Sequence, residues 1–262
     1  MTPSASTVRV VIVTGGGTGI GAAITRAFAA RGDDILVCQR DEADAAAARA
    51  ALSEAGPGRI RVVAHDLTTR GAAQALVADA VESFGTVDVL VNNAAVTGPA
   101  SGRGLLELTD DGIDETIAVN LASVIRLIRE TGRVMAGSGH SGVIVNIGSV
   151  AADAAQMNAS VYSATKAGVH ALTRSIALEL SPHGIRAVTV APGDIATRLS
   201  GDGQPADDGT VAPDAPYWAR TTPLGRRGAP SDVAETVVFL ASAEAAFITG
   251  TVVGVDGGWL SY

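Results

Sequence analysis

Val8-Arg9-Val10-Val11-Ile12-Val13-Thr14 runs straight into Gly15-Gly16-Gly17-Thr18-Gly19-Ile20-Gly21, and an alanine-rich stretch follows to about Arg31. The β-branched run predicts a strand buried on both faces. The alanine-rich stretch predicts a helix. Glycines between them permit a tight turn and let the backbone approach a pyrophosphate closely. The N-terminus of the following helix presents unpaired N–H groups and the positive end of its dipole to the same anion. A glycine cluster by itself is a weak signal. Strand, glycine turn and helix in this order form the context that a dinucleotide site requires.

The alternation continues outward from that unit. Residues 34–39, 60–65 and 87–92 read as strands, and residues 43–55 and 71–84 as helices, the first of them ended by Gly56-Pro57-Gly58. The run Val143-Ile144-Val145-Asn146-Ile147-Gly148 reads as another buried parallel strand, residues 112–134 as a helical stretch, and residues 185–191 and 250–255 as strands. Residues 231–243 read as a helix with Ser231 as N-cap, although the acid of a capping box would fall one residue late, at Glu235. Strands alternating with helices predict an α/β domain, a parallel sheet with helices on both faces. Right-handed crossovers open a crevice at the C-terminal ends of its strands. Thr14, Gln39, His65, Asp66, Asn92, Asn93 and Ser149 stand at those ends and would gather along one edge.

Composition narrows the class. The chain has 262 residues, 47% hydrophobic and 18% charged, which suits one large domain with a sizeable core. Aromatics make up 3%, which argues against a base-stacking platform, and the net charge of −8 repels phosphate backbones, so no nucleic-acid partner is expected. The single cysteine, Cys38, cannot form an internal disulfide and reads as a small apolar strand residue, in keeping with a reducing, cytoplasmic location. Residues 1–7 have no basic region followed by an apolar core, and no apolar run reaches membrane-spanning length, so neither a secretory signal nor a membrane partner is expected. His65, His140, His170 and His183 lack metal-ligand spacing, and no metal is expected. His170 follows Lys166 by one helical turn and reads as a packing or surface residue. A Ser149–His170 hydrolase pair is disfavoured, because Gly148-Ser149-Val150-Ala151 lacks the second glycine of a nucleophile elbow.

The chemistry concentrates in Tyr162-Ser163-Ala164-Thr165-Lys166. On a helix Tyr162 and Lys166 are i and i+4 and share a face. A free phenol has a pKa of about 10 and is a poor base at neutral pH. A nearby ammonium favours phenolate and lowers that value, which would give a proton donor and acceptor for interconverting a carbinol and a carbonyl. Alone, such a pair is also a common helix-surface feature. Ser149, at the C-terminal end of its strand, stands where open α/β sheets bind ligands.

Taken together, TGGGTGIG at 14–21, Asp66-Leu67, NNAA at 92–95, Asn120, Ser149, YSATK at 162–166, and Pro192-Gly193 with Thr197 resemble the short-chain dehydrogenase/reductase family in order and spacing, over nearly the whole chain. The resemblance implies a doubly wound Rossmann fold of about seven strands in a single domain over residues 1–262, and nicotinamide-dependent hydride transfer. It implies that Tyr162 is the general acid or base. Lys166 would lower its pKa and hold the nicotinamide ribose, and Ser149 would hydrogen-bond the substrate oxygen. Asn120 would hold a water linking Lys166 to solvent; the other reading makes it a capping or bent-helix residue. It implies cofactor contacts from Gly15, Gly17, Thr18, Gly19, Ile20, Gly21, Arg40, Asp66, Leu67, Asn93, Ala94, Tyr162, Lys166, Pro192, Gly193, Ile195 and Thr197. Asp66 would accept from the adenine amino group, or it caps the residues after it. Asn92 would brace the central strand. Two positions depart from the family pattern. Ala95 stands where glycine is more usual, and Thr18 where NADP-dependent members often carry a basic residue.

The expected substrate is a small carbonyl compound or alcohol, with a lean toward 3-oxoacyl-carrier-protein reductase and glucose dehydrogenase-like members. The alternatives are an NAD-linked sugar or alcohol dehydrogenase and a non-catalytic cofactor sensor, against which the intact Asn120, Ser149, Tyr162 and Lys166 argue. Residues 194–223 read as a lid, in which Tyr217 and Trp218 either cover substrate or staple the loop to the body. The resemblance also implies a homotetramer, with the helices around 112–134 and 162–180 at one interface and the tail ending in Trp259 and Leu260 at another. The cofactor preference is read at the end of the second strand, where NAD-specific folds carry an acid. Gln39 is neutral there and Arg40 follows, able to grip a 2′-phosphate, so NADP(H) is expected over NAD(H). The competing readings have Arg40 stacking on adenine or pointing into solvent, and Asp41 and Glu42 either offsetting its charge or starting the next helix.

Overall fold

Seven strands carry the β-branched runs: β1 (Val10–Thr14), β2 (Asp34–Gln39), β3 (Ile60–Ala64), β4 (Val89–Asn92), β5 (Val143–Ile147), β6 (Arg186–Pro192) and β7 (Val252–Val255). The computed structural model describes residues 8–96, 104–139, 141–197 and 222–261. The strands form one sheet in the order β3-β2-β1-β4-β5-β6-β7, every neighbouring pair parallel. The chain first winds outward from β1 to β3 and then returns to lay β4 on the other side of β1. That reversal, between β1 and β4, is where a doubly wound sheet leaves a crevice.

Alternation along each strand sends side chains to two separate cores. On one face Val11, Val13, Ile35 and Val37 pack with Ile24, Phe28, Ala48 and Val237 of helices α1 (Gly19–Ala29), α2 (Glu42–Leu52) and α7 (Pro230–Leu240). On the other, Ile12, Leu36, Leu90 and Ile144 pack with Leu76, Leu127, Val169 and Ile176 of α3 (Ala72–Phe84), α5 (Ser123–Ser138) and α6 (Ser160–Leu180). Both faces are covered, which explains why the strands read as continuous apolar runs.

The N-terminal edge of the sheet is closed by ion pairs and charged hydrogen bonds. Arg9 donates to Asp33 through Nε at 3.1 Å and Nη2 at 2.7 Å, and the N–H of Val10 donates to Asp88 at 2.8 Å. Arg59 donates to Asp34 through its N–H at 3.1 Å and Nε at 3.0 Å. Arg186 donates to the carbonyls of Ile248 and Leu240 at 3.0 and 2.9 Å.

Two local readings are refined. Residues 112–134 are helical throughout, but α4 (Asp110–Ile117) continues into α5 through a π turn at Ala118–Ala122, which inserts one residue into the helical path. At α7 the N-cap is Ala229, with Pro230 in the first turn, and the acid in register is Asp232, whose Oδ2 accepts from the Ala229 N–H at 2.8 Å.

Candidate active site

The C-terminal edge of the sheet opens into a cavity of about 1120 Å³, room for a dinucleotide and a small substrate. The glycine turn forms one end. Gly15 and Gly19 have φ of 63° and 51°, and a Cβ on Gly21 would stand 2.1 Å from the Gly15 carbonyl oxygen, so the turn closes this tightly only with glycine. Asn93 fastens the turn across the switch point, its Nδ2 donating to the Thr14 and Gly15 carbonyls at 2.9 and 3.2 Å. The N–H groups of Asn93 and Ala94 both donate to Thr14 Oγ1 at 3.0 Å. Gly15, Thr18, Gly19, Ile20, Gly21, Arg40, Asp66, Leu67, Asn93, Ala94, Tyr162, Lys166, Pro192, Gly193, Ile195 and Thr197 all line the cavity. Gly17 does not. A Cβ there would stand 2.0 Å from Gln39 Nε2 and 2.4 Å from Ala48 Cβ, so Gly17 lets the buried Gln39 amide and α2 pack against the turn.

At the far end, Arg40 is solvent-exposed, with Nε 3.5 Å from Asp41 Oδ2. Asp41 both faces that guanidinium and caps α2, its Oδ1 accepting from the Asp44 N–H at 2.9 Å, while Glu42 pairs with Arg49. Asp66 makes a local turn, Oδ1 accepting from Thr68 Oγ1 at 2.7 Å and from the Thr68 N–H at 2.9 Å. Those bonds hold its carboxyl below the usual range. It caps no α-helix, since α3 begins at Ala72. Burial pushes the Cys38 thiol up to about 12, so it stays protonated and unreactive at neutral pH.

At the opposite end α6 and β5 bring Tyr162, Lys166 and Ser149 together. The Ala151 N–H donates to Ser149 Oγ at 3.1 Å, and the Ser149 hydroxyl, facing the same cavity as Tyr162, acts to lower the pKa of its phenol. Lys166 is buried, its Nζ donating to the Ile147 carbonyl at 2.8 Å and lying 5.6 Å from the Tyr162 ring centre. The expected lowering of the phenol pKa is not what this geometry produces. Burial raises it, the Ser149 hydroxyl opposes that rise, and the Lys166 ammonium donates to the Ile147 carbonyl. Burial also brings Lys166 down to about 8.

Asn120 lies behind the cavity, inside the π turn. Its Oδ1 accepts from the Val96 N–H at 2.9 Å, and its Nδ2 donates to the Val96 carbonyl at 3.1 Å and to Thr165 Oγ1 at 3.5 Å. The amide thus ties the segment after β4 to α6. The central strands are also tied by Asn92, whose Nδ2 donates to Asn146 Oδ1 at 2.8 Å. Past β6, the Ala196 N–H, near the start of the segment read as a lid, donates to the carbonyl of Gly228, which lies just beyond its end, at 2.8 Å. Most of that segment, Tyr217 and Trp218 included, lies outside the described residues, as does His140.

A family profile described as enoyl-(acyl carrier protein) reductase matches residues 15–260. The short-chain reductase protein NovJ of Streptomyces niveus is 40% identical over 259 residues, spanning 95% of this chain and 93% of that one. The chain belongs to the short-chain dehydrogenase/reductase family. L-Rhamnose 1-dehydrogenase (NAD(P)(+)) of Sphingomonas sp. (strain SKA58) is 38% identical over 250 residues, 95% of each chain. The solved structure of levodione reductase superposes with a TM-score of 0.85 at 31% identity, covering 97% of this chain and 98% of that one. As a short-chain dehydrogenase/reductase the chain is an NAD(P)-dependent oxidoreductase acting between alcohols and ketones.

Sequence reasoning missed the substrate side of this short-chain dehydrogenase/reductase site. Val150, Gln156 and Met157, in the segment between Ser149 and Tyr162, line the cavity, with Asp114 and Glu115 from α4. No periodicity marks Val150, Gln156 and Met157, because a loop is not periodic. Trp259, expected at a subunit interface, lines the cavity of its own chain. The described glycine turn and the open cavity beside it fit a dinucleotide: Gly15, Gly19 and Thr18 would hold its pyrophosphate, and Lys166 its ribose.

Proposed function

We propose that the protein reduces a small ketone to a secondary alcohol with NADP(H), Tyr162 acting as general acid. The observation that carries this reading is the convergence of Ser149, Tyr162 and Lys166 on the same cavity as the glycine turn. The nicotinamide supplies the hydride when bound. Ser149 directs its hydroxyl at the oxygen of the carbonyl and holds it beside Tyr162. As negative charge grows on that oxygen, Ser149 stabilises it and the phenol gives up its proton. Burial raises the phenol pKa, so Tyr162 holds its proton at neutral pH, ready to donate.

The preference for NADP(H) rests on Arg40, exposed at the cavity's far end, with neutral Gln39 in place of an acid. Asp41 at 3.5 Å tempers that guanidinium, so the preference is modest, about ten- to a hundredfold for one charge-assisted contact. We further propose a homotetramer and a cytoplasmic location. Relatives named for sugars, such as L-rhamnose 1-dehydrogenase, favour a second reading, oxidation of a sugar or alcohol. Asp114 and Glu115 beside the substrate end, able to accept from hydroxyl groups, support it.

Steady-state rates over a panel of ketones and sugars with NADPH and NADH decide among these. Tyr162→Phe should lower kcat at least about a hundredfold with cofactor affinity nearly unchanged. Arg40→Ala should lose the selectivity for NADPH. Near-normal turnover in the first variant, or a wild type that prefers NADH, would remove the corresponding part of the reading.

A further inference from the structure

We propose that His170 is a positioning residue for Ser149, holding both ends of the turn that presents the serine hydroxyl. The proposal rests on the Ser149–Tyr162 reading given above. Ser149 begins a short 3-10 turn, Val150–Ala152, which Asp153 ends. His170 stands on α6, one turn beyond Lys166, and is 3% exposed. Its ring meets the turn twice. Before the serine, a Cβ on Gly148 would stand 2.3 Å from His170 Nε2, so the imidazole edge lies directly against the Gly148 backbone. After the serine, Nδ1 lies 3.4 Å from Asp153 Oδ2.

The polar atoms show that this is more than filling. Nε2 is buried with no hydrogen-bond partner among the described residues, a cost that leucine at the same position would not carry. The contacts assign the proton to Nδ1, facing the carboxylate, and leave the Nε2 lone pair against the Gly148 Cα. The charged groups that act on the ring are Asp153 from the turn and Lys166 and Arg174 from its own helix, and Thr189 of β6, which packs against Gly148 beside it, is neutral. Burial and the two cations hold the imidazole below its usual value, so it stays neutral and acts as a fixed strut. The strut matters because Ser149 Oγ accepts from the Ala151 N–H, which leaves its proton free to point at the Tyr162 oxygen. Rotation of the turn would turn that proton away.

The test reads the Tyr162 phenol without any substrate. The chain has 3 tyrosines, so ring-fluorinated tyrosine gives few fluorine resonances, and Tyr162→Phe assigns the one that matters. Its titration midpoint is measured in the full-length protein, in His170→Leu, His170→Asn, Asp153→Asn, Ser149→Ala, and His170→Leu combined with Ser149→Ala. Circular dichroism and NADPH binding by fluorescence confirm that each variant is folded. Losing the Ser149 hydrogen bond should raise the midpoint by about one pH unit. His170→Leu should raise it nearly as far, and His170→Asn and Asp153→Asn, each sparing one of the two contacts, less. His170→Leu should add nothing once Ser149 is alanine. An unmoved midpoint in His170→Leu, or the same shift with and without Ser149, would overturn the positioning role while leaving the Ser149–Tyr162 reading intact. No shift in Ser149→Ala would overturn both.

Discussion

Lys166 carries an ammonium into the interior, where its hydrogen bond goes to the Ile147 carbonyl and burial brings its pKa down to about 8. Unfolded, the same lysine titrates near 10.4. Below about pH 8 both states hold the proton, and the folded state bears the full desolvation cost. Between there and 10.4 the folded state releases the proton first, so stability rises with pH across that window. Lys166→Met keeps the stem and removes the charge. It should abolish turnover and yet raise stability at pH 7 by about 1–2 kcal/mol, with the advantage shrinking as pH rises past 8. Chemical denaturation of both proteins at several pH values checks this, and a variant less stable than wild type at pH 7 would contradict it. The i,i+4 spacing put Lys166 on the face of Tyr162, and the structure agrees. It did not reveal what the ammonium would donate to, since that depends on β5, a separate stretch of chain. The same limit hid the clamp that Asn120 makes on Val96.

Element by element, β-branched runs located every strand, and the differences lie at the ends. Val8 and Arg9 continue the pattern of β1, but the ladder with β2 begins at the pairing of Val10 with Asp34, and strand assignment stops where partners stop. The π turn escaped notice because one inserted residue hardly disturbs an apolar periodicity read over two dozen positions. Asp34, read as the first residue of its strand, is a buried staple on β2, accepting the Arg59 hydrogen bonds that hold its carboxyl below the usual range. Asp34→Asn should cost about 1.5 kcal/mol, the lower end for charged hydrogen bonds because Arg59 is largely exposed. With a depressed folded pKa, the contribution is complete above the unfolded value of about 3.9 and fades as pH falls through the folded one. Urea midpoints of wild type and variant should therefore differ at pH 7 and converge in acid.

For the molecule as a whole, the described surface leaves large apolar side chains exposed at several places, Leu105, Leu106, Met157 and Leu224 among them, and two further groups bear on assembly. Ile117 and Ile125, from α4 and α5, and Leu178 of α6 are exposed on the helical layer, and Phe239 and Phe247 are exposed near the C-terminal end of α7. Two such faces suit an assembly with two kinds of two-fold contact. Light scattering at micromolar concentration should give four times the 26.2 kDa chain mass, and a monomer mass would refute the tetramer. The sheet in the middle also sorts its two edges by task. Arg9, Asp33, Asp34, Asp88 and Arg186 bind the N-terminal edge together, whereas the glycine turn, Ser149 and the cavity occupy the other. A five-residue strand such as β1 keeps the two roughly 17 Å apart, beyond the range of about 7–10 Å within which substitutions usually influence one another. In evolutionary terms the lineage holds two nearly independent ledgers of change: descendants can exchange cavity residues and drift to new substrates without eroding the clasp, and a strengthened clasp gives a mutational reserve that any of those descendants inherits.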